Sequence, residues 1–408
     1  MKRLLVDLSP LRSSRPFAAL WSGTSLIGVG AQIAIIAVLA QMWSITQSAL
    51  WTGTIGLTTA AAVLIVGPLG GNLADRHDRR NMVRTATLAQ VLTALGLVAQ
   101  AAAGNDSPLL LLALVAVNAA SGALGAPARR ALPPRLLPAE KLGGAYALLN
   151  LSFQVSMLVG PALGGVLVAW SLSAAYAAQF VSALLSLITL AFVPRVPPTP
   201  GPSADAGRAA GWSVVLRKPT ISGAFATDVA ATALAMPIAV FPVLNELHFD
   251  SDPRTLGLFF SAIATGGILA GLLSGTIARA RRLGTIMIIA ALAWSLSIAL
   301  FGISHMLCMA LVLLGIAGAA DTIAVIARGV LIQIETPDDA RGRVSAAEQV
   351  VGVASPELGN FRGGLIATAI GGPASVVIGG ATAFVAIAAI ALSNRPVREY
   401  ETSPLDPP

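Results

Sequence analysis

Four ionisable side chains stand well inside long, predominantly apolar stretches: Asp228, Asp321, Glu357 and Arg362. Carboxyl groups taken out of water favour the neutral form and can load and release protons. An arginine among them supplies a fixed cation for pairing. Glu357 and Arg362 stand at i,i+5, a poor spacing for a pair on one helix. Each is therefore expected to find its partner on another helix: Arg362 with Asp228 or a substrate anion, and Glu357 with Asp321. The competing reading is that these are buried pairs that fix helix register and touch no cargo. Arg328 and Glu348 lie nearer the charged margins of the same stretches and read as a local charge cluster. Covalent catalysis finds no footing. His77, His248 and His305 are far apart, and Cys308 is the single cysteine. Neither HExxH, GxSxG nor a phosphate loop occurs. A metal site and a disulfide framework are excluded as well.

The elements that position these groups follow from composition. The 408 residues are 55% hydrophobic and 11% charged, against about 25% charged in a soluble domain. So few charges cannot cover a soluble fold of this length, and lipid is the natural solvent for such a surface. Twelve apolar runs reach the roughly 20 residues needed to cross a bilayer: 16–42, 50–70, 82–103, 108–128, 142–169, 172–193, 219–245, 255–278, 284–303, 306–330, 343–370 and 373–394. Helices are the open-chain solution that satisfies every backbone group in lipid. The first run is too long for a signal peptide and is read as a retained helix.

With the N-terminus placed in the cytoplasm and sides alternating, all of the 26 Lys and Arg residues except Arg254 and Arg362 fall on the cytoplasmic side. That accounts for the net charge of +7 through the positive-inside rule, with no need of nucleic acid. The chain also repeats. GPALGG at 160–165 and GNFRGG at 359–364 are 199 residues apart, and at the same offset Arg129 matches Arg328. A Pro-, Gly- and Ala-rich stretch, VPRVPPTPGPSADAGRAAG, divides six spans from six. The expected fold is an all-α membrane protein of 12 transmembrane helices in two pseudo-symmetric six-helix bundles, 1–193 and 219–408, joined by a cytoplasmic linker at 194–218.

Charge is concentrated in GGNLADRHDRR, residues 70–80. Gly71-Asn72-Leu73-Ala74-Asp75-Arg76, ending in Arg79-Arg80, resembles the loop 2–3 signature of the major facilitator superfamily, with Asp78 where that signature carries glycine. Gly160-Pro161 with Gly164-Gly165 is similar to the family's antiporter motif, without its leading glycines. ARRALPPRLLPAEKLGGAYALLN and ETPDDARGRVSAAEQVVGVASPELGNFRGG resemble the enterobactin-exporter branch, which includes macrolide and tetracycline efflux relatives. The resemblance implies that spans 1, 4, 7 and 10 line a central cavity. Asp228 and Asp321 would then face each other across the second bundle.

It also implies a cytoplasmic gate. Asp75 is expected against the N-terminus of span 11 near Arg343-Val344-Ser345, where unpaired N–H groups favour an anion. Gly71 and Arg76 belong to the same hinge. Arg79, with Arg129 or Arg130, is expected to pair with acids on neighbouring loops, and Arg328 with Glu348 would form the second-half counterpart. Gly160, Pro161, Gly164 and Gly165 read as helix packing and hinge. Gln32 and Asn118 suit uncharged hydrogen bonding to cargo or, equally, to a neighbouring helix.

The expected function is export of a small amphipathic molecule, a siderophore, by proton antiport with alternating access. No cofactor is expected beyond the proton gradient. The partners are the small-molecule substrate and the bilayer, with no nucleic acid, and the chain is expected to be a monomer in the inner (cytoplasmic) membrane with both termini inside. The alternatives are multidrug efflux, an uptake symporter and a membrane enzyme.

Overall fold

Every regular element is helical among the described residues of the computed structural model, 7–197 and 208–401. Lys2 and Arg3, placed on the cytoplasmic side above, and 198–207 of the expected linker lie outside the described residues.

The long helices are α1 (Arg15–Thr46), α2 (Ala49–Arg76), α3 (Arg79–Ala102), α4 (Pro108–Arg130), α5 (Leu142–Trp170), α6 (Leu172–Thr189), α7 (Pro219–Ala235), α8 (Phe241–His248), α9 (Pro253–Gly271), α10 (Leu283–Gly302), α11 (Leu307–Glu335), α12 (Arg341–Ile370) and α13 (Gly372–Ser393). By length and composition, 11 spans among the described residues can cross a membrane. The remaining run expected from the sequence, 343–370, is α12. Its 30 residues are long enough to cross, but Glu348, Glu357 and Arg362 dilute its apolar content, so composition alone does not mark it.

The seventh run was expected as one continuous span. Instead α7 stops at Ala235 and α8 starts at Phe241, with a single 3-10 turn, Ile238–Val240, between them. Pro237 has no N–H to continue the helical ladder, which explains the break. Other boundaries follow ordinary capping. Asp78 accepts a hydrogen bond from Asn81 N at 3.0 Å and caps α3, which gives the residue that departs from the family signature a structural role. Ser107 caps α4, with Pro108 at the first helical position. Between α12 and α13 the chain turns through Gly371 at φ +94°, a left-handed conformation that favours glycine.

The chain forms two compact units. The first takes Met1–Thr46, Thr58–Ala204 and Pro253–Phe260. In it α1 packs on α5 and α6, and α3 on α4 and α6. Gln41 and Gln100 exchange two amide hydrogen bonds of 2.9 Å, and the Tyr176 hydroxyl donates to Gln41 Oε1 at 2.7 Å, so buried polar groups tie α1, α3 and α6. The second unit takes Gln47–Leu57, Asp205–Asp252 and Ser261–Pro408. There α7 packs on α12 and α13, and α10 on α11 and α13.

Each unit therefore holds the first turns of a helix that continues in the other. Small residues make that possible, because two backbones approach closely only where no Cβ intervenes. In the first unit a Cβ at Gly164 would sit 3.1 Å from Ile33 O of α1, and one at Gly165 would sit 2.8 Å from Pro253 O of α9. In the second unit a Cβ at Gly363 would lie 3.4 Å from Met236 O, and one at Gly364 would strike Ala49 O of α2. The repeat read from the sequence is thus also a repeat of contacts.

Candidate functional site

Within the second unit, α7, α10 and α11 line a small open pocket bordered by Thr227, Asp228, Thr232, Met287, Trp294, Asp321, Val325 and Arg328, among others. Its walls come from residues that share one face of each helix. Asp321 and Arg328 are seven positions apart on α11, two turns, and so project from the same side. Asp228 and Thr232 are one turn apart on α7.

Asp228 and Arg328 form an ion pair whose side chains retain 15% and 12% exposure. Arg328 Nε also lies 3.8 Å from Glu348 Oε1 on α12, too long for a hydrogen bond and close enough for attraction. Asp321 is exposed on the pocket wall, within electrostatic range of both Asp228 and Arg328. Among the described residues it has no salt-bridge partner. One guanidinium thus lies among three acids from three helices and is paired with one of them, Asp228. Such an arrangement has alternatives: a change in the charge of any acid alters where the arginine is best held. Trp294 borders the pocket, and its indole Nε1 is buried without a hydrogen-bond partner among the described residues.

The structure brings together Asp228, Asp321, Arg328 and Glu348, which the sequence had divided between a coupling group and a gate group. It does not bring Arg362 to Asp228 or Glu357 to Asp321. Arg362 donates to the carbonyl of Leu234. The last carbonyls of a helix lack intrahelical partners, and the break after Ala235 exposes one that a guanidinium satisfies well. Glu357 accepts from Asn360 Nδ2 at 2.9 Å, one turn along its own helix. The acceptor for Arg362 exists because α7 breaks after Ala235, which the sequence does not announce, whereas the Glu357 contact is a local i,i+3 pair.

Among its described residues the first unit holds no matching cluster of acids. Arg129, the counterpart of Arg328, donates to the Thr87 hydroxyl at 3.3 Å instead of to an acid. The backbone N–H of Arg79 donates to Val196 O at 3.0 Å, and Arg80 reaches Ala191 O at 3.3 Å. Asp75, Arg76 and Arg130 are exposed. A Cβ at Gly71 would meet no atom within 4 Å, whereas one at Gly70 would lie 2.6 Å from Leu124 O. The close-packing glycine of the pair is therefore Gly70. Asn118 accepts from the Thr93 hydroxyl at 3.2 Å, a bond between α3 and α4. Gln32 packs its Cβ against Gly160, and Pro161 sits inside α5 with its carbonyl against Gly257.

The sequence reading missed Trp294, Thr227, Thr232 and Met287. The lone indole within the apolar run 284–303 was a usable signal for the first. Thr227 and Thr232 flank Asp228 without any spacing that singles them out.

Comparison with known proteins agrees with this architecture. The chain is 27% identical over 359 residues to the enterobactin exporter EntS of Shigella boydii, covering 85% of each protein. It is 28% identical over 356 residues to EntS of Salmonella typhi, again with 85% of each covered. Among solved structures, a bacterial homologue of the human lysosomal transporter Spinster, inward-facing and unoccupied, aligns with a TM-score of 0.77 at 16% identity, over 98% of this chain and 100% of that one. The D-xylose–proton symporter aligns at 0.71 and 14% identity, over 94% and 98%. The sequence profile of the Major Facilitator Superfamily matches residues 20–359, and this chain, a multi-pass helical transporter and not an enzyme, belongs to that superfamily.

Proposed function

We propose that the protein is a secondary exporter of a small amphipathic molecule, a siderophore, driven by inward proton movement through alternating access. The observation that carries the proton-coupled part is the shared cation: Arg328 pairs with Asp228 while Asp321 stands beside it on the pocket wall without an ion pair of its own. Protonation of one acid frees the arginine for another, and two states of the pocket follow. The likeness to enterobactin exporters over 85% of the chain supports the direction of transport and the cargo class. In this reading twelve helices cross the inner membrane as a monomer, α12 included, with both termini in the cytoplasm. The arginine-rich α2–α3 hinge, with Asp75 exposed at its edge, is the cytoplasmic gate.

Asp321→Asn tests the coupling. In vesicles the variant should lose pH-gradient-driven efflux by at least about tenfold while the purified protein keeps its thermal unfolding midpoint. Efflux at the unaltered rate would remove Asp321 from the mechanism.

One observation favours a second reading, multidrug efflux. An anionic siderophore needs cations, yet Arg328 is engaged by Asp228 and Arg362 by a backbone carbonyl. A neutral or lipophilic cargo fits that inventory better. Loss of secreted chelator from an iron-starved deletion strain would select the siderophore reading, and unchanged secretion with raised drug sensitivity would select the other.

A further inference from the structure

Glu357 does not line the Asp228–Arg328 pocket. It lies where the first turns of α2 pack on α12. Its Oε2 accepts from Asn360 Nδ2 at 2.9 Å. A Cβ at Gly56 would collide with that same oxygen, so the carboxyl group rests directly on the α2 backbone. Asn360 is 4% exposed, and its Oδ1 accepts the Ala239 N–H at 3.4 Å. The Ala239 carbonyl in turn accepts from the Thr52 hydroxyl at 2.6 Å, which returns the string of hydrogen bonds to α2 one turn before Gly56. At Gly53 a Cβ would sit 3.0 Å from Asn360 O.

The charges around this carboxyl group can be enumerated. Residues 49–57 contain no ionisable group, and neither does α13. On α7 the single ionisable residue is Asp228, engaged by Arg328. On α12 itself, Arg362 points to Leu234 O, and Glu348 lies beside Arg328. Glu246 and His248 stand at the far end of α8, beyond Ala239. Among the described residues no cation is paired with Glu357, and an ionised carboxylate in that setting is costly unless it gains water or a partner. The first unit places Leu158 and Phe260 at the equivalent positions, two apolar groups that have no such requirement.

We propose that Glu357 is a protonation-dependent lock on the start of α2. In its neutral form the carboxyl group sits over Gly56 and residues 49–57 stay packed on α12. When the proton leaves to water, the carboxylate recruits hydration, and the Thr52–Ala239–Asn360 string gives way with the α2 segment. The role rests on the alternating-access reading above but not on the Asp228–Arg328 pocket.

The test uses full-length protein in proteoliposomes with Cys308→Ser and a single reporter, Ala49→Cys, at a position that is 4% exposed. Labelling by a membrane-impermeant maleimide is followed without substrate or gradient, at equal pH on both sides. Rates are normalised to those of the exposed native Cys308 in protein without the reporter. Normalised labelling should rise about tenfold between pH 5.5 and 8.5, a shift of one decade in the closed-to-open ratio. Glu357→Gln should label slowly at every pH, and Glu357→Asp should restore the pH response. Asp321→Asn should keep it. A pH response that survives Glu357→Gln, or none in the parent protein, overturns the lock. Loss of the response in Asp321→Asn with retention in Glu357→Gln would overturn it while leaving the pocket's coupling role standing.

Discussion

Two joints in this molecule are built on one plan and filled with different chemistry. In the first unit α5 receives the start of α9 through Gly165 and Gly257. In the second, α12 receives the start of α2 through Gly364 and Gly53. The glycines correspond one for one, because the backbones must approach to the same degree in both. The side chains do not. Leu158 and Phe260 fill positions in the first joint that Glu357 and Gly56 fill in the second. The same contrast recurs deeper in each unit, where Arg129 meets a neutral hydroxyl and Arg328 meets a carboxylate. Packing is duplicated while chemistry is not: among the described residues the acid–arginine cluster belongs to the second unit, and the first unit pairs its corresponding arginine with a hydroxyl.

The sharpest way to break that comparison is at the two arginines. Arg328→Ala leaves Asp228 largely buried without its cation, which should cost about 3–5 kcal/mol and appear as a large drop in thermal unfolding midpoint in detergent. Arg129→Ala loses a charge-assisted bond to a hydroxyl and should cost about 1.5–3 kcal/mol. Equal losses would mean that the halves do not differ in the way described. A smaller effect sharpens the packing side. Gly359→Ala and Gly160→Ala should both destabilise by about 1–3 kcal/mol. The loss should be greater at Gly359, where the obstructing atom is the backbone carbonyl of Thr232. At Gly160 it is the side-chain Cβ of Gln32, with Val29 O at 3.2 Å. The smallest effect concerns helix starts. Asp78→Ala removes a side-chain cap and should cost about 1 kcal/mol. Arg282→Ala, at the N-cap of α10 where no side-chain cap bond exists, loses only an exposed ion pair with Glu401 and should cost less, about 0.5 kcal/mol.

Much of the site was legible as a set of residues and little of it as a set of contacts. Asp228, Asp321 and Arg328 announce themselves because a charge inside an apolar run is rare and costly. Their mutual arrangement does not, because Asp228 and Arg328 are 100 positions apart and the rotation of each helix about its axis decides what they meet. Glu357 and Arg362 were assigned partners by charge alone. The structure gives Glu357 the amide of Asn360 on its own helix, and gives Arg362 a backbone carbonyl that the interruption at Pro237 leaves free and no residue count reveals. The glycines were read as packing residues, and their partners follow the repeat. Gly71 was singled out by its motif, but Gly70 is the one pressed against Leu124.

By itself the sequence determined the solvent, the helical class and the internal duplication. Each of these depends on local quantities: the length of apolar runs, the placement of arginines and the recurrence of Gly-x-x-x-Gly-Gly. Tertiary structure alone decided which acid holds Arg328, which carbonyl holds Arg362 and what lies beneath Glu357. A buried charge is stabilised most by groups close enough to hydrogen-bond or pair with it, and those neighbours come largely from helices far apart in the chain.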